Sequence, residues 1–290
     1  MAAVSSHVIT PALLAAFVAI LALTYLNGDT LKQLAPSFPP SAALVQYFPL
    51  VGQASCAQQD YTTEIISLDP LLIYIRKFFN EKDIAGILAA GENRFNPSEI
   101  YQNGRMIQNP YRTSWSAGLP AEEPAVKCVL ERAKEFLGAV LDPTEDEMGI
   151  PQLVRYTSGQ QYNLHHDWLR MPQAAFDGSP RSFNRVASFF VILQDDCTEG
   201  ETWFPFVKPA SAGAGSGSRD ALWREHEGGL AFKPVAGNAL FWINLFPNGT
   251  GDSRTVHAGL PVTGGLKTAM NIWPRQYRSN EEFRKILRYT

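Results

Sequence analysis

Hydrophobic positions along the chain fall into distinct regimes, beginning with Val8 to Leu26, an unbroken run of 19 residues without a charge. At about 1.5 Å per helical residue this run spans roughly 28 Å, close to the hydrocarbon thickness of a bilayer. It predicts a single N-terminal transmembrane segment, with residues 1–26 as a membrane anchor. A cleaved signal peptide is the alternative, although the apolar region of such a peptide is ordinarily only about 7–15 residues. Residues 1–7 hold no Lys or Arg and Lys32 is the only basic residue soon after the span, so flanking charge leaves the orientation open. Residues 27–60 read as a stem: LAPSFPPSAA disfavours helix and suits an extended spacer.

Residues 61–290 read as one globular domain. Pro70–Phe79 alternates as a strand should. Asn80 then has the character of a helix N-cap, with Asp83 three residues on and Ile84, Ile87 and Leu88 forming an apolar face. Val126, Val129, Leu130, Ala133, Phe136, Leu137 and Val140 recur at three- and four-residue steps and predict a helix over Ala125–Val140. From Pro151 onward the pattern shortens to β-rich runs (LVRYT, RVASFFVIL, NALFWINLF, TVHAGLPV, LKTAMNIW) separated by Gly, Pro and Asn clusters. Ser211–Ser218 reads as a flexible Gly/Ser/Ala loop. The expected fold is mainly β with N-terminal helices, a sandwich or barrel of jelly-roll type.

Composition narrows the function. The chain is 45% hydrophobic and 18% charged, ordinary globular values, and its net charge of −3 offers no basic face for a nucleic acid. Three cysteines without a CxxC pair exclude a disulfide-built scaffold and a zinc finger. At most one bridge is expected among Cys56, Cys128 and Cys197. Cys197 is placed in the turn before Glu201 with no basic neighbour to activate it, so it does not read as a nucleophile.

Five histidines bound the metal chemistry. His7 precedes the apolar run. In YNLHHDWL, His165 and Asp167 lie two apart in a β-rich stretch, so their side chains share one face while His166 points away. An imidazole and a carboxylate on one face are two parts of a facial triad for non-haem Fe(II). The third ligand must come from His226 or His257. His226 lies in WREHEGG, read as a charged loop, whereas His257 lies in the apolar run TVHAGLPV. Ten residues on, Lys267 interrupts the apolar strand GLKTAMNIW. A lysine facing the interior needs an anion, which a dicarboxylate co-substrate would supply.

Together His165, Asp167, His257 and Lys267 resemble the signature of the prolyl 4-hydroxylase branch of Fe(II)/2-oxoglutarate dioxygenases. Further motifs extend the resemblance over residues 70–275: Arg112-Thr113-Ser114, RYTSGQQYNLHHD, NRVASFFVILQDDCTEGETWFP, KPVAGNALFWIN and HAGLPVTGGLKTAMNIW. Glu199 departs from the family's GGET motif, and Asn238 replaces a common acidic residue. The resemblance implies a double-stranded β-helix buttressed by helices, with His165, Asp167 and His257 as iron ligands. It implies Lys267 as partner of the distal 2-oxoglutarate carboxylate, assisted by Tyr156 and Thr202, and places Arg185, Tyr162 and Trp273 near the substrate. Fe(II), 2-oxoglutarate and O2, with L-ascorbate keeping the iron reduced, are the implied cofactors and co-substrates. The implied reaction hydroxylates a peptidyl proline or a similar unactivated C–H, releasing succinate and CO2. A tailoring hydroxylase of a small molecule or short peptide, and an inactive membrane-tethered binding module, are the alternatives. For the prolyl hydroxylase reading the expected location is the endoplasmic reticulum, single-pass with a lumenal catalytic domain, where the sequon Asn248-Gly249-Thr250 could be modified.

Overall fold

A computed structural model describes residues 56–102, 105–142, 146–210 and 222–287. The apolar run at 8–26, the stem up to residue 55 and the Ser211–Ser218 loop lie outside these residues. Among the described residues no helix is long and apolar enough to cross a membrane.

The largest sheet has eight antiparallel strands. In spatial order these are β1 (Thr62–Leu68), β2 (Leu71–Arg76), β16 (Ala239–Ile243), β12 (Ala187–Glu199), β18 (Val262–Ile272), β8 (Gln152–Thr157), β6 (Trp115–Gly118) and β3 (Asn96–Pro97). A five-stranded sheet follows the order β14 (Trp223–His226), β15 (Gly229–Phe232), β13 (Thr202–Phe204), β17 (His257–Gly259) and β9 (Tyr162–His165). A smaller sheet joins β10 (Gln173–Ala174), β11 (Arg181–Arg185), β19 (Pro274–Ser279) and β7 (Glu147–Met148). β4 (Glu99–Gln102) and β5 (Arg105–Gln108) form a separate hairpin.

The run ASFFVIL explains the layering, because β12 is buried on both faces. Phe189 and Val191 point into one core with Phe78, Val126, Val129, Ala133 and Phe241. That core is closed by α1 (Glu81–Gly91) and α2 (Pro124–Leu137). Phe190 and Ile192 point the other way, into a second core with Tyr74, Phe204, Phe232, Leu240 and Trp242 between the two large sheets. The result is a helix-backed β-sandwich of jelly-roll type, as the short β-rich runs predict.

The capping residues behave as read. Asn80 accepts from the Asp83 amide at 2.8 Å while the Asp83 carboxylate accepts from the Asn80 amide at 3.1 Å. Asp83 also binds buried Arg132 of α2 at 2.7 Å, which locks the two helices together. α2 stops at Leu137 rather than Val140, because Gly138 turns left-handed (φ 51°) and a 3-10 turn follows. Val140 is therefore exposed instead of sharing the apolar face.

Three further readings change. His226 ends a strand, not a loop: the two-residue turn Glu227-Gly228 (φ 43° and 80°) folds β14 onto β15, and Trp223 is buried. The adjacent charges Arg224 and Glu225 mask that strand in the sequence. Cys56 is bonded to Cys128 of α2 and Gln59 donates to the Lys77 carbonyl, so residues 56–60 pack on the domain. Cys197 lies within β12 rather than in the turn after it, and Lys267 is a basic neighbour. Burial nevertheless outweighs that neighbour and raises the thiol's pKa, so the thiol stays protonated.

Candidate active site

The short strands β9 and β17 pair antiparallel and bring His165 directly opposite His257. Each imidazole repeats one local device. His165 Nδ1 donates to the Asn163 carbonyl at 2.8 Å and His257 Nδ1 to the Thr255 carbonyl at 3.0 Å, each two residues upstream. With the proton held on Nδ1, the lone pair of each ring sits on Nε2. The His165 Nε2 lies 3.9 Å from Asp167 Oδ1, and the His257 Nε2 lies 3.9 Å from Asp167 Oδ2. All three donor atoms fall within 4.8 Å of one another. His166 turns aside and stacks on Trp168, as the alternation requires. His226 is elsewhere, against Trp203 and Arg224.

The electrostatics suit a cation. Burial pushes Asp167 up, but the His257 and His165 rings, the Arg185 guanidinium and the Ser188 hydroxyl together hold its pKa at about 2. Burial, followed by the neighbouring His257, drives His165 well below the ordinary histidine value, so that ring is neutral near pH 7. Ligand atoms must be deprotonated to bind a metal, and Asp167 and His165 already are. Two imidazole nitrogens and one carboxylate clustered on one wall of a cleft form the donor set of a non-haem Fe(II) centre. With Fe(II) bound, such a site supplies the redox chemistry by which O2 and 2-oxoglutarate oxidise a substrate. The protein around it shapes the donors. Phe204 stacks on the His257 ring with centroids 5.2 Å apart, Trp242 meets it edge-on at 4.8 Å, and Tyr162 stacks on His165 at 3.6 Å.

Lys267, on β18, is 1% exposed and lies behind the cleft wall. Its Nζ sits 5.6 Å from the Tyr156 ring centroid and 5.2 Å from that of Phe190, and both rings line the cleft. It donates to the Gly200 carbonyl at 2.6 Å and makes no ion pair among the described residues. Burial lowers its pKa to about 8. Gly200 is left-handed (φ 80°), and a Cβ there would meet Val262 at 2.8 Å, so glycine is what allows this carbonyl its place. The departure at Glu199 is tolerated in a left-handed conformation as well (φ 62°). Asn238, the other departure, accepts from the Lys77 amide and donates to the Tyr74 hydroxyl. Tyr156 opposes Lys267 across the β8–β18 ladder, and burial raises its pKa to about 12, which keeps it a donor. Thr202 is buried and lines the same cleft.

The three residues expected near the substrate, Arg185, Tyr162 and Trp273, all line this cleft, which encloses about 1400 Å³. Arg185 lies 3.7 Å over the Trp273 ring and donates to the Asp167 carbonyl at 3.2 Å. Sequence reasoning overlooked Ser188 and Asn244, both fully buried beside Asp167. The available signal was a lone hydroxyl in the run ASFFVIL and a lone amide after ALFWI, since buried polar groups need partners.

Residues 151–275 match the family model described as the 2OG-Fe(II) oxygenase superfamily. The chain is 26% identical over 218 residues to prolyl 4-hydroxylase 1 of Arabidopsis thaliana, covering 73% of this chain and 71% of that protein. It is 34% identical over 185 residues to prolyl 4-hydroxylase subunit alpha-2 of Gallus gallus, covering 63% of this chain but only 29% of that subunit. In fold it is similar to the viral collagen prolyl hydroxylase of Paramecium Bursaria Chlorella virus-1 (TM-score 0.50, 22% identity, 71% of this chain and 96% of that one). The matched segment runs from β8 to β19 and carries the His165, Asp167 and His257 donors, Tyr156, Thr202 and Lys267. The chain therefore contains a 2OG-Fe(II) oxygenase domain and is a 2-oxoglutarate-dependent dioxygenase.

Proposed function

We propose that the enzyme hydroxylates prolyl residues of a peptide, with L-ascorbate as the reductant that restores its iron. The observation that carries the site's chemistry is the pairing of a preformed His165/Asp167/His257 donor set with Lys267, a buried cation that makes no ion pair among the described residues. The relatives named as prolyl 4-hydroxylases support the choice of substrate. So does cleft size: about 1400 Å³ exceeds the roughly 300–1,000 Å³ usual for a small-molecule site. Its rim is open and apolar, with Tyr111, Leu164 and Met171 all more than half exposed. Incubation of the purified chain with Fe(II), 2-oxoglutarate and proline-rich peptides should yield succinate together with an oxygen-shifted peptide. Turnover with a metabolite and none with any peptide would favour the tailoring-hydroxylase alternative.

The same proposal places the catalytic domain in the endoplasmic-reticulum lumen, tethered through residues 8–26. The Cys56–Cys128 bridge supports this, because disulfides persist in oxidising compartments. Asn248 is exposed at a turn in which its Oδ1 accepts from both the amide and the hydroxyl of Thr250, a geometry open to a glycan. Protease protection of the domain in sealed microsomes is the expected result; digestion without detergent would place it in the cytosol.

A further inference from the structure

We propose that Ser188 and Asn244 form a directional hydrogen-bond relay that positions Asp167 for the metal, with Asn244 acting through Ser188. Ser188 is on β12 and Asn244 directly follows β16, its antiparallel neighbour. Both side chains are 0% exposed. Ser188 Oγ lies 2.7 Å from Asp167 Oδ2, and Asn244 Nδ2 lies 2.8 Å from Ser188 Oγ. A hydroxyl can donate in several directions, but a carboxylate only accepts and an amide nitrogen only donates. Asn244 therefore gives its hydrogen to Ser188, and Ser188 gives its own to Asp167. Oδ2 is occupied, and Oδ1 is left as the carboxylate oxygen without a hydrogen bond among the described residues.

The relay does not end at Asn244. The Asn244 amide donates to the Val186 carbonyl at 2.8 Å, and its carbonyl accepts from the Asp252 amide at 2.9 Å. The Asp252 carbonyl accepts from the Thr255 hydroxyl at 2.8 Å, and the Thr255 carbonyl accepts from His257 Nδ1. Hydrogen bonds joined through the backbones of Asn244, Asp252 and Thr255 thus link Asp167 and Ser188 to His257. They tie two of the three donors into one frame, so that their spacing is set before a metal arrives. Ser188 and Asn244 are positioning residues: neither offers an atom to the metal or the cleft.

The inference rests on the metal-site reading, and titration of the metal-free full-length chain with Co(II), followed by visible absorption, separates the two. Loss of Co(II) binding in His257→Ala tests the site itself. Partners of metal ligands are typically worth about 10–100-fold in affinity, and Ser188→Ala should lose that much, with a changed Co(II) band intensity. Ser188→Thr keeps the hydroxyl and should stay within about threefold of the parent, while Asn244→Asp, which keeps the shape but replaces the donor by an acceptor, should lose as much as Ser188→Ala. The double variant Ser188→Ala/Asn244→Asp should be no weaker than Ser188→Ala alone. KM for 2-oxoglutarate at saturating metal should not move. A folded Ser188→Ala with parental Co(II) affinity would overturn the proposal, as would Ser188→Thr behaving like Ser188→Ala or losses that multiply in the double variant. If Ser188→Ala does not fold, Asn244→Asp decides alone, and unchanged affinity there overturns the relay.

Discussion

At one end of the cleft Asp167 holds a buried negative charge with a hydroxyl on one oxygen, a guanidinium on its backbone carbonyl and two imidazoles facing it. Behind the cleft wall, Lys267 holds a buried positive charge that donates to one backbone carbonyl and makes no ion pair among the described residues. Burial disfavours the charged form of both groups. Only Asp167 has partners that reverse the effect, so its pKa falls to about 2 and the carboxylate is ionised throughout the physiological range. At Lys267 the nearby Cys197 and Glu201 offset the penalty only in part, and its pKa stays lowered to about 8. The metal donors are already assembled, whereas the Lys267 end would be completed by the charge of the proposed ligand. On the proposed assignment a carboxylate of 2-oxoglutarate beside Nζ would supply the missing anion, and the binding energy of that contact would include relief of the buried charge.

The sharpest break in this contrast comes from the metal end. His257→Ala removes one of three donors and should abolish both metal binding and succinate formation. His226→Ala, on an outer strand of the same sheet, should leave turnover within a few-fold; a dead His226→Ala enzyme would refute the ligand assignment. At the other end Lys267→Ala should retain metal binding but raise KM for 2-oxoglutarate by roughly 10–150-fold, the worth of a charge-assisted hydrogen bond of about 1.5–3 kcal/mol. An unchanged 2-oxoglutarate dependence would remove Lys267 from the site.

The pH response should separate the ends without mutation. If protonated Lys267 binds the dicarboxylate as proposed, kcat/KM for 2-oxoglutarate should fall as pH rises above about 8, the pKa of the free enzyme's lysine. Stability of the ligand-free protein should move oppositely. Because the folded-state pKa is depressed from 10.5 to about 8, the unfolded chain binds more protons between those values, and unfolding becomes harder as pH rises through them. Equilibrium unfolding from pH 7.5 to 10.5 checks the sign; a flat profile would mean that Lys267 carries no burial penalty.

The smallest functional effect is expected far from both ends. Cys56 and Cys128 close a 72-residue separation, and Cys56→Ser should cost about 2–4 kcal/mol of stability in denaturant melts. Replacing all three cysteines by serine should still leave succinate formation measurable. Complete loss in a folded triple variant would reveal a redox or metal role for a thiol.

The uneven legibility of the sequence follows the same physics. His165-x-Asp167 could be read because period-two geometry puts both side chains on one face, and Lys267 because a lysine in an apolar strand demands an explanation. The Asn80–Asp83 cap was legible from residue type and spacing alone, since both partners lie within one turn. The partner strand of His226 was hidden, because its signal is the two-residue turn at Glu227-Gly228 and one buried Trp223 among charged neighbours. Ser188 and Asn244 were hidden more deeply. They lie 56 residues apart, and their meaning arises only when β12 and β16 pair. Pairing across that distance is set by the whole sheet and leaves no local spacing to recognise.

The most direct test of the dioxygenase assignment is turnover under 18O2 with Fe(II), 2-oxoglutarate and a proline-rich peptide, followed by mass spectrometry of both products. If His165, Asp167, His257 and Lys267 act as described, succinate and hydroxylated peptide appear in equal amounts, each carrying one 18O atom. Peptide hydroxylation without 2-oxoglutarate, or unlabelled hydroxyl oxygen in the absence of exchange with water, would contradict the assignment.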